Sequence, residues 1–110
     1  MKKSQEYYEM HAEVCKVFGH SKRLMVISAL RDGERTVSDL AGYTGIDTSN
    51  LSQHLHMLRD KGLVTTRREG TKIHYNISHP NIGKALDLMS AFLEQRISKS
   101  QSMLSGGEKD

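Results

Sequence analysis

The sequence predicts a mainly helical α+β domain with one small β-hairpin, and three observations predict it. Residues 47–62 place Leu51, Leu55 and Leu58 at i, i+4 and i+7, the spacing of a single helix face. Ahead of them, Thr36-Val-Ser-Asp39 has the form of a capping box opening a short helix, which ends in a turn around Gly45. Behind them, residues 63–68 and 72–77 are two β-prone runs joined by Glu69-Gly70-Thr71.

The remaining elements follow in order. Tyr7, Met10, Val14, Val17 and Phe18 recur at helical spacing, and Gly19 ends that helix. Ser21 is placed to cap the next, which runs through Leu24, Ile27, Ala29 and Leu30 until Asp32-Gly33 breaks it. The short helix from Thr36 extends to about Ala41 or Tyr43. Asp47 caps the leucine-striped helix, and Gly62 stops it. His79-Pro80 opens a last helix, with Ile82, Leu86, Met89 and Leu93 on one face and Ala85 and Phe92 beside them. Residues 1–97 form the domain. Residues 98–110 contain Ser, Gly and Lys and are expected to be a flexible tail. A short helix, a four-residue turn and a second helix make a helix-turn-helix, and a hairpin directly after it makes the unit winged. The first and last helices are more apolar than so small a core needs, which marks them as the surface of a homodimer.

Composition bounds the function. A chain of 110 residues is one domain with a modest core, so a dimer is an attractive source of further burial. Sixteen Lys and Arg against 13 Asp and Glu give a net charge of +3, a mild basic bias that suits a polyanion. One cysteine rules out an intrachain disulfide and fits a reducing compartment. No secretory leader or membrane-length apolar run is present, so a cytoplasmic location without a membrane partner is expected. Trp is absent and aromatics are 5 %, which leaves few platforms for stacking single-stranded bases. No nucleophile–base pair, phosphate loop or reasoned carboxylate pair supports an enzyme, and no cofactor is expected.

The face opposite the leucines holds the chemistry. Ser49, Gln53 and His56 project there, with Asn50 and Ser52 on the flanks. A merely solvated face usually carries Lys and Glu, whereas Ser, Asn and Gln hydrogen-bond base edges in the major groove of double-stranded DNA. His54 lies beside the leucine stripe and is read as a packing residue. Arg67, Arg68 and Lys72 are ordinary hairpin charges on one reading and phosphate contacts on the other, and the winged unit favours the second.

Three segments resemble the ArsR/SmtB family of winged-helix repressors, over roughly residues 7–97. They are residues 19–30 with Arg23, residues 34–41, and residues 49–64 followed by Arg67-Arg-Glu-Gly70. The third is the specific one: Ser49-x-x-Ser-Gln-His-Leu-x-x-Leu-Arg-x-x-Gly-Leu-Val64. The resemblance implies a homodimer that sits on an inverted-repeat operator and leaves it on binding an inducer. It also implies DNA contact by Thr48, Ser49, Ser52 and Gln53, by Val37 at the start of the preceding helix, and by Arg67, Arg68 and Lys72 on the wing.

The family's sensing residues do not match. Thr36 and Ser38 stand where one metal site has thiolates, and hydroxyls are poor ligands for soft metals. Asn81, Phe92 and Gln95 stand where a second site has ligands. No metal site is therefore expected, and the inducer stays unknown. Cys15 is a small buried hydrophobe on the plainer reading and a redox or soft-metal sensor on the other, with a site shared by His11, Cys15 and the last helix as one form of it. The reading reached is a sequence-specific DNA-binding transcription regulator, a repressor. The alternatives are a winged-helix adaptor for proteins, for which Asp39, Asp47 and Asp60 around the reading head leave room, and a variant responding through Cys15. A non-specific architectural protein needs more charge than +3.

Overall fold

The computed structural model describes residues 2–106, with side chains to residue 101. Its elements are α1 (Gln5–Phe18), α2 (Ser21–Ala29), a 3₁₀ turn (Leu30–Asp32), β1 (Arg35–Thr36), α3 (Val37–Thr44), α4 (Thr48–Asp60), β2 (Val64–Glu69), β3 (Lys72–Ile77) and α5 (Pro80–Gly106). The fold class is the one expected. Helices α2, α3 and α4 enclose the core, and a small antiparallel sheet flanks them.

Local chemistry fixes the boundaries. The α3 capping box forms in full: Thr36 Oγ1 accepts from the Asp39 N–H, and the Asp39 carboxylate accepts from the Thr36 N–H. Asp47 caps α4 by accepting from the Asn50 N–H at 2.9 Å. Between the two helices, Gly45 takes φ +77°, a left-handed conformation that costs glycine nothing, and its N–H reaches Ala41 O. Thr44 Oγ1 locks the same turn. It donates to Leu40 O and accepts from the N–H of Ile46, whose side chain is buried. One expected cap is corrected. Ser21 is the first residue of α2, and His20 caps it, its Nδ1 accepting from the Lys22 N–H at 3.2 Å.

Leu51, Leu55 and Leu58 are fully buried with Val26, Ile27, Ala29 and Leu40. Each such leucine contributes about 1.5–3 kcal/mol relative to exposure. Together they hold one face of α4 in the core and leave the other in water. The wing pairs in register from Val64↔Ile77 to Glu69↔Lys72. Its base is tied to the end of α4, where Ser78 Oγ donates to Gly62 O and the Ser78 N–H donates to Leu63 O. The sequence predicts a hairpin alone, and the structure corrects this: β1 adds a third strand, Arg35↔Tyr75 and Thr36↔His74, giving the order β1-β3-β2.

The outer helices are only partly used. Val17 is the one buried residue of α1. On α5, Ile82 and Leu86 pack against the core, but Met89, Phe92 and Leu93 are 62 %, 57 % and 55 % exposed. Tyr7, Tyr8, Met10 and Val14 on α1 are exposed as well. Helix α5 runs past residue 97, where the tail was expected to begin, and reaches Gly106; the rest of the expected tail, 107–110, lies outside the described residues. The radius of gyration, 17.3 Å, exceeds the ~13 Å of a compact domain of this length because α1 and α5 project. No helix among the described residues is long and apolar enough to cross a membrane.

Candidate nucleic-acid interface

Helix α4 places the predicted readers together. Thr48, Ser49, Ser52, Gln53 and His56 are all exposed on the side away from the buried leucines. Among the described residues, the side chains of Ser49, Ser52 and Gln53 make no hydrogen bond within the chain, so their donors and acceptors are free for a ligand. Asn50 is exposed but differently employed: its Nδ2 donates to Asp47 Oδ2 at 2.8 Å, which makes it part of the cap. Val37, the first residue of α3, is half-buried against the core. It also lines a cleft of about 400 Å³ with Thr36, Ser38, Asp39, Thr71, Lys72 and Ile73, between the start of α3 and the wing. The α3 N-terminus and Lys72 thus border one cleft.

The acidic residues beside this surface have local tasks. The Thr36 N–H, ahead of the Thr36 hydroxyl, holds the Asp39 carboxyl below its usual range. The Asn50 N–H does the same for Asp47. Both serve helix caps, and both stay exposed and ionised.

The wing divides its charges. Strand alternation sets Arg67, Glu69, Lys72, His74 and Asn76 on the outer face, away from the core. There Arg67 Nη2 pairs with Glu34 Oε1, Arg67 Nε donates to Glu34 Oε2 at 3.3 Å, and Glu69 Oε1 lies 3.6 Å from Arg67 Nη2. Asn76 Nδ2 also donates to Glu34. His74 stands between the two acids, its Nε2 3.2 Å from Glu69 Oε1 and its Nδ1 3.8 Å from Glu34 Oε1. The contact with Glu69 is close but poorly aligned, since Nε2 is buried without a well-directed hydrogen bond. The bond to Arg67 lowers the Glu34 pKa, and the same bond raises that of Arg67. Arg67 is therefore a strut of the wing with its charge already met. Arg68 and Lys72 are exposed and form no ion pair among the described residues. The Glu34 partnership was missed at the sequence level, because only the pairing of β1 brings Glu34 alongside β3.

His54 is half-buried beside the leucine stripe, as expected. Its ring lies 4.8 Å from that of His20, and Arg23 Nε donates to its Nδ1 at 3.3 Å. Burial first, then His20, Arg23 and Lys22, push its pKa below the usual 6.5. A histidine held neutral by the fold binds its proton more readily when unfolded. Stability should fall as pH drops below about 6.5 and level off once the folded form titrates too. Melting temperatures from pH 7.5 to 5 should therefore decline less in His54→Gln than in the wild type. Equal declines would mean that His54 does not couple to folding.

Cys15 departs from the plainer expectation. It is exposed in the single chain, with its Sγ 3.5 Å from His11 Nδ1, and it lies on the groove between α1 and α5. That groove, about 1060 Å³, is lined by Val14, Phe18, Leu86, Met89, Phe92 and Leu93 among others.

A three-helix head, a capped reading helix and a three-stranded wing define a winged helix-turn-helix module. The model of the family described as bacterial regulatory protein, arsR family, matches residues 20–66. The HTH-type transcriptional regulator Rv0081 of Mycobacterium tuberculosis is 31 % identical over 109 residues, covering 94 % of this chain and 96 % of that one. Its crystal structure matches with a TM-score of 0.80 at 33 % identity, over 88 % of this chain and 98 % of that one. The biofilm growth-associated repressor of Xylella fastidiosa is 38 % identical over 80 residues, 73 % of this chain and 68 % of the repressor. The solution structure of the homodimeric winged helix-turn-helix DNA-binding domain Mb0332 from Mycobacterium bovis matches with a TM-score of 0.78 at 28 % identity, over 88 % of this chain and 93 % of that one. The chain belongs to the arsR family of bacterial regulatory proteins.

Proposed function

We propose that this regulator is a homodimeric repressor that reads an inverted repeat in double-stranded DNA, with one α4 helix in each of two successive major grooves. The observation that carries the reading is the α4 face itself. Its short polar side chains are exposed and uncommitted, while three buried leucines fix the helix from behind. Two-fold protein symmetry then asks for half-sites about one helical turn, ~10 base pairs, apart. Ser49 and Gln53 read base edges, Thr48 and Ser52 reach the backbone or base edges beside them, and Val37 and His56 border the groove. Asn50 supports the reading head through Asp47. The dimer forms by covering the exposed faces of α1 and α5. Repression follows from occupying promoter DNA, and any inducer acts by favouring a dimer whose two heads no longer fit the groove spacing.

Wing charge gives a first test. Arg68 and Lys72 are the wing's free cations, so Arg68→Ala should weaken binding to all sequences alike. It should also flatten the slope of log affinity against log salt by about 1 per subunit contact. Arg67→Ala should change that slope less, because Glu34 and Glu69 already meet its charge. Titrations of a fluorescent duplex at several salt concentrations decide it. Equal flattening by both variants would place Arg67 on phosphate, and no salt dependence in the wild type would favour the protein-adaptor reading.

A further inference from the structure

The first turns of helix α5 pack on the reading head, with Ile82 and Leu86 against the core. Gly83 and Asp87 lie one turn apart on the same stretch, and Arg31, from the 3₁₀ turn after α2, touches both. Arg31 Nε donates to Asp87 Oδ1 at 3.3 Å, and Arg31 Nη2 pairs with Asp87 Oδ2. The guanidinium lies against the bare backbone of Gly83. A Cβ built there would clash with Arg31 Nη1 and stand 2.7 Å from Cζ and 2.9 Å from Cδ, so a side chain at this position displaces the guanidinium. Among the described residues no other ion pair joins α5 to the head.

Stability does not account for this arrangement. The ion-paired side chains are 36 % and 57 % exposed, and pairs so open to water stabilise little. A glycine inside a helix weakens it relative to alanine. What the arrangement supplies is geometry: with no side chain at Gly83, the guanidinium lies flat on α5 while it holds Asp87. The distal part of α5 carries the exposed Phe92, Leu93 and Ile97. From Gly83 to Ile97 the helix extends roughly 21 Å, so a tilt of about 10° at the clamp moves Ile97 by about 4 Å. That is close to one base-pair step of ~3.4 Å.

We propose that Arg31, Gly83 and Asp87 are positioning residues that set the tilt of α5 against the reading head, and through it the half-site spacing that the DNA-bound dimer accepts. The inference rests on the dimeric DNA-reading function proposed above. Two variants disturb the clamp in different ways. Gly83→Ala pushes the guanidinium off the helix while keeping both charges and favouring the helix. Asp87→Asn removes the ion pair at nearly constant size.

The test uses duplexes carrying inverted repeats of a half-site selected from random DNA, with the spacer changed one base pair at a time. The wild type should lose about tenfold in affinity for each base pair away from the optimum. Both variants should flatten that profile to within about threefold or move its optimum by one base pair. Their affinity for a single half-site and their dimer mass should match the wild type. Variants that keep the wild-type profile, or that lose affinity equally at every spacing, would overturn the clamp. A wild type indifferent to spacing would overturn it too while leaving DNA reading intact. Failure to bind any selected duplex would instead overturn the DNA-reading function itself.

Discussion

Phe92→Glu is expected to turn the protein into a monomer and to cost at least a hundredfold in affinity for an inverted-repeat site. Phe92 is 57 % exposed in the single chain and sits on the apolar groove between α1 and α5. A folded monomer rarely leaves so continuous an apolar surface in water. In a dimer the new carboxylate would be buried against apolar side chains, and an uncompensated buried charge costs about 3–5 kcal/mol. Linked half-site binding is then lost, and linkage alone accounts for ~10²–10⁴ in avidity. The head should stay folded, because Phe92 is not among the residues that pack on the core. Sedimentation velocity at micromolar concentration, with circular dichroism as the folding control, checks this. A variant that still sediments as a dimer would move the interface away from α5.

Gln53→Ala is the second large effect, and it falls on specificity. Gln53 is exposed on α4, one turn after Ser49, and its side chain makes no bond within the chain among the described residues. Removing a side chain that reads a base edge costs about 1–3 kcal/mol on the preferred site. Folding should not suffer, since alanine is the better helix former and the site is open to water. Affinity for unrelated DNA should therefore be unchanged while discrimination narrows. Paired titrations on selected and scrambled duplexes separate the outcomes. An equal loss on both would assign Gln53 to the phosphate backbone.

Features encoded within one turn or one hairpin were legible in the sequence. The Thr36–Asp39 capping box, the Asp47 cap, the buried leucine stripe and the wing all depend on neighbours in the chain, so spacing reveals them. Strand β1 was not legible, because two residues carry no alternation and exist as a strand only through Tyr75 and His74. The double duty of the site residues was hidden for the same reason. Nothing local says that Arg67 spends its charge on Glu34, 33 positions away, or that Arg31 grips Asp87, 56 positions away. His20 displaced Ser21 as the α2 cap because an imidazole nitrogen also accepts from a backbone N–H, a use that residue preferences rank low. Cys15 was expected inside on its residue type, yet it is exposed, in the groove between α1 and α5. The α5 boundary was set by polar composition after residue 97, which does not by itself end a helix.

Operator reading by a homodimer is tested most directly by selecting bound duplexes from random-sequence DNA with the wild-type protein at physiological salt. A homodimer that reads two major grooves should enrich an inverted repeat with half-site centres ~10 base pairs apart and bind as two protein chains per duplex. Recovery of unenriched sequences, or of a single unrepeated half-site bound by one chain, would contradict it.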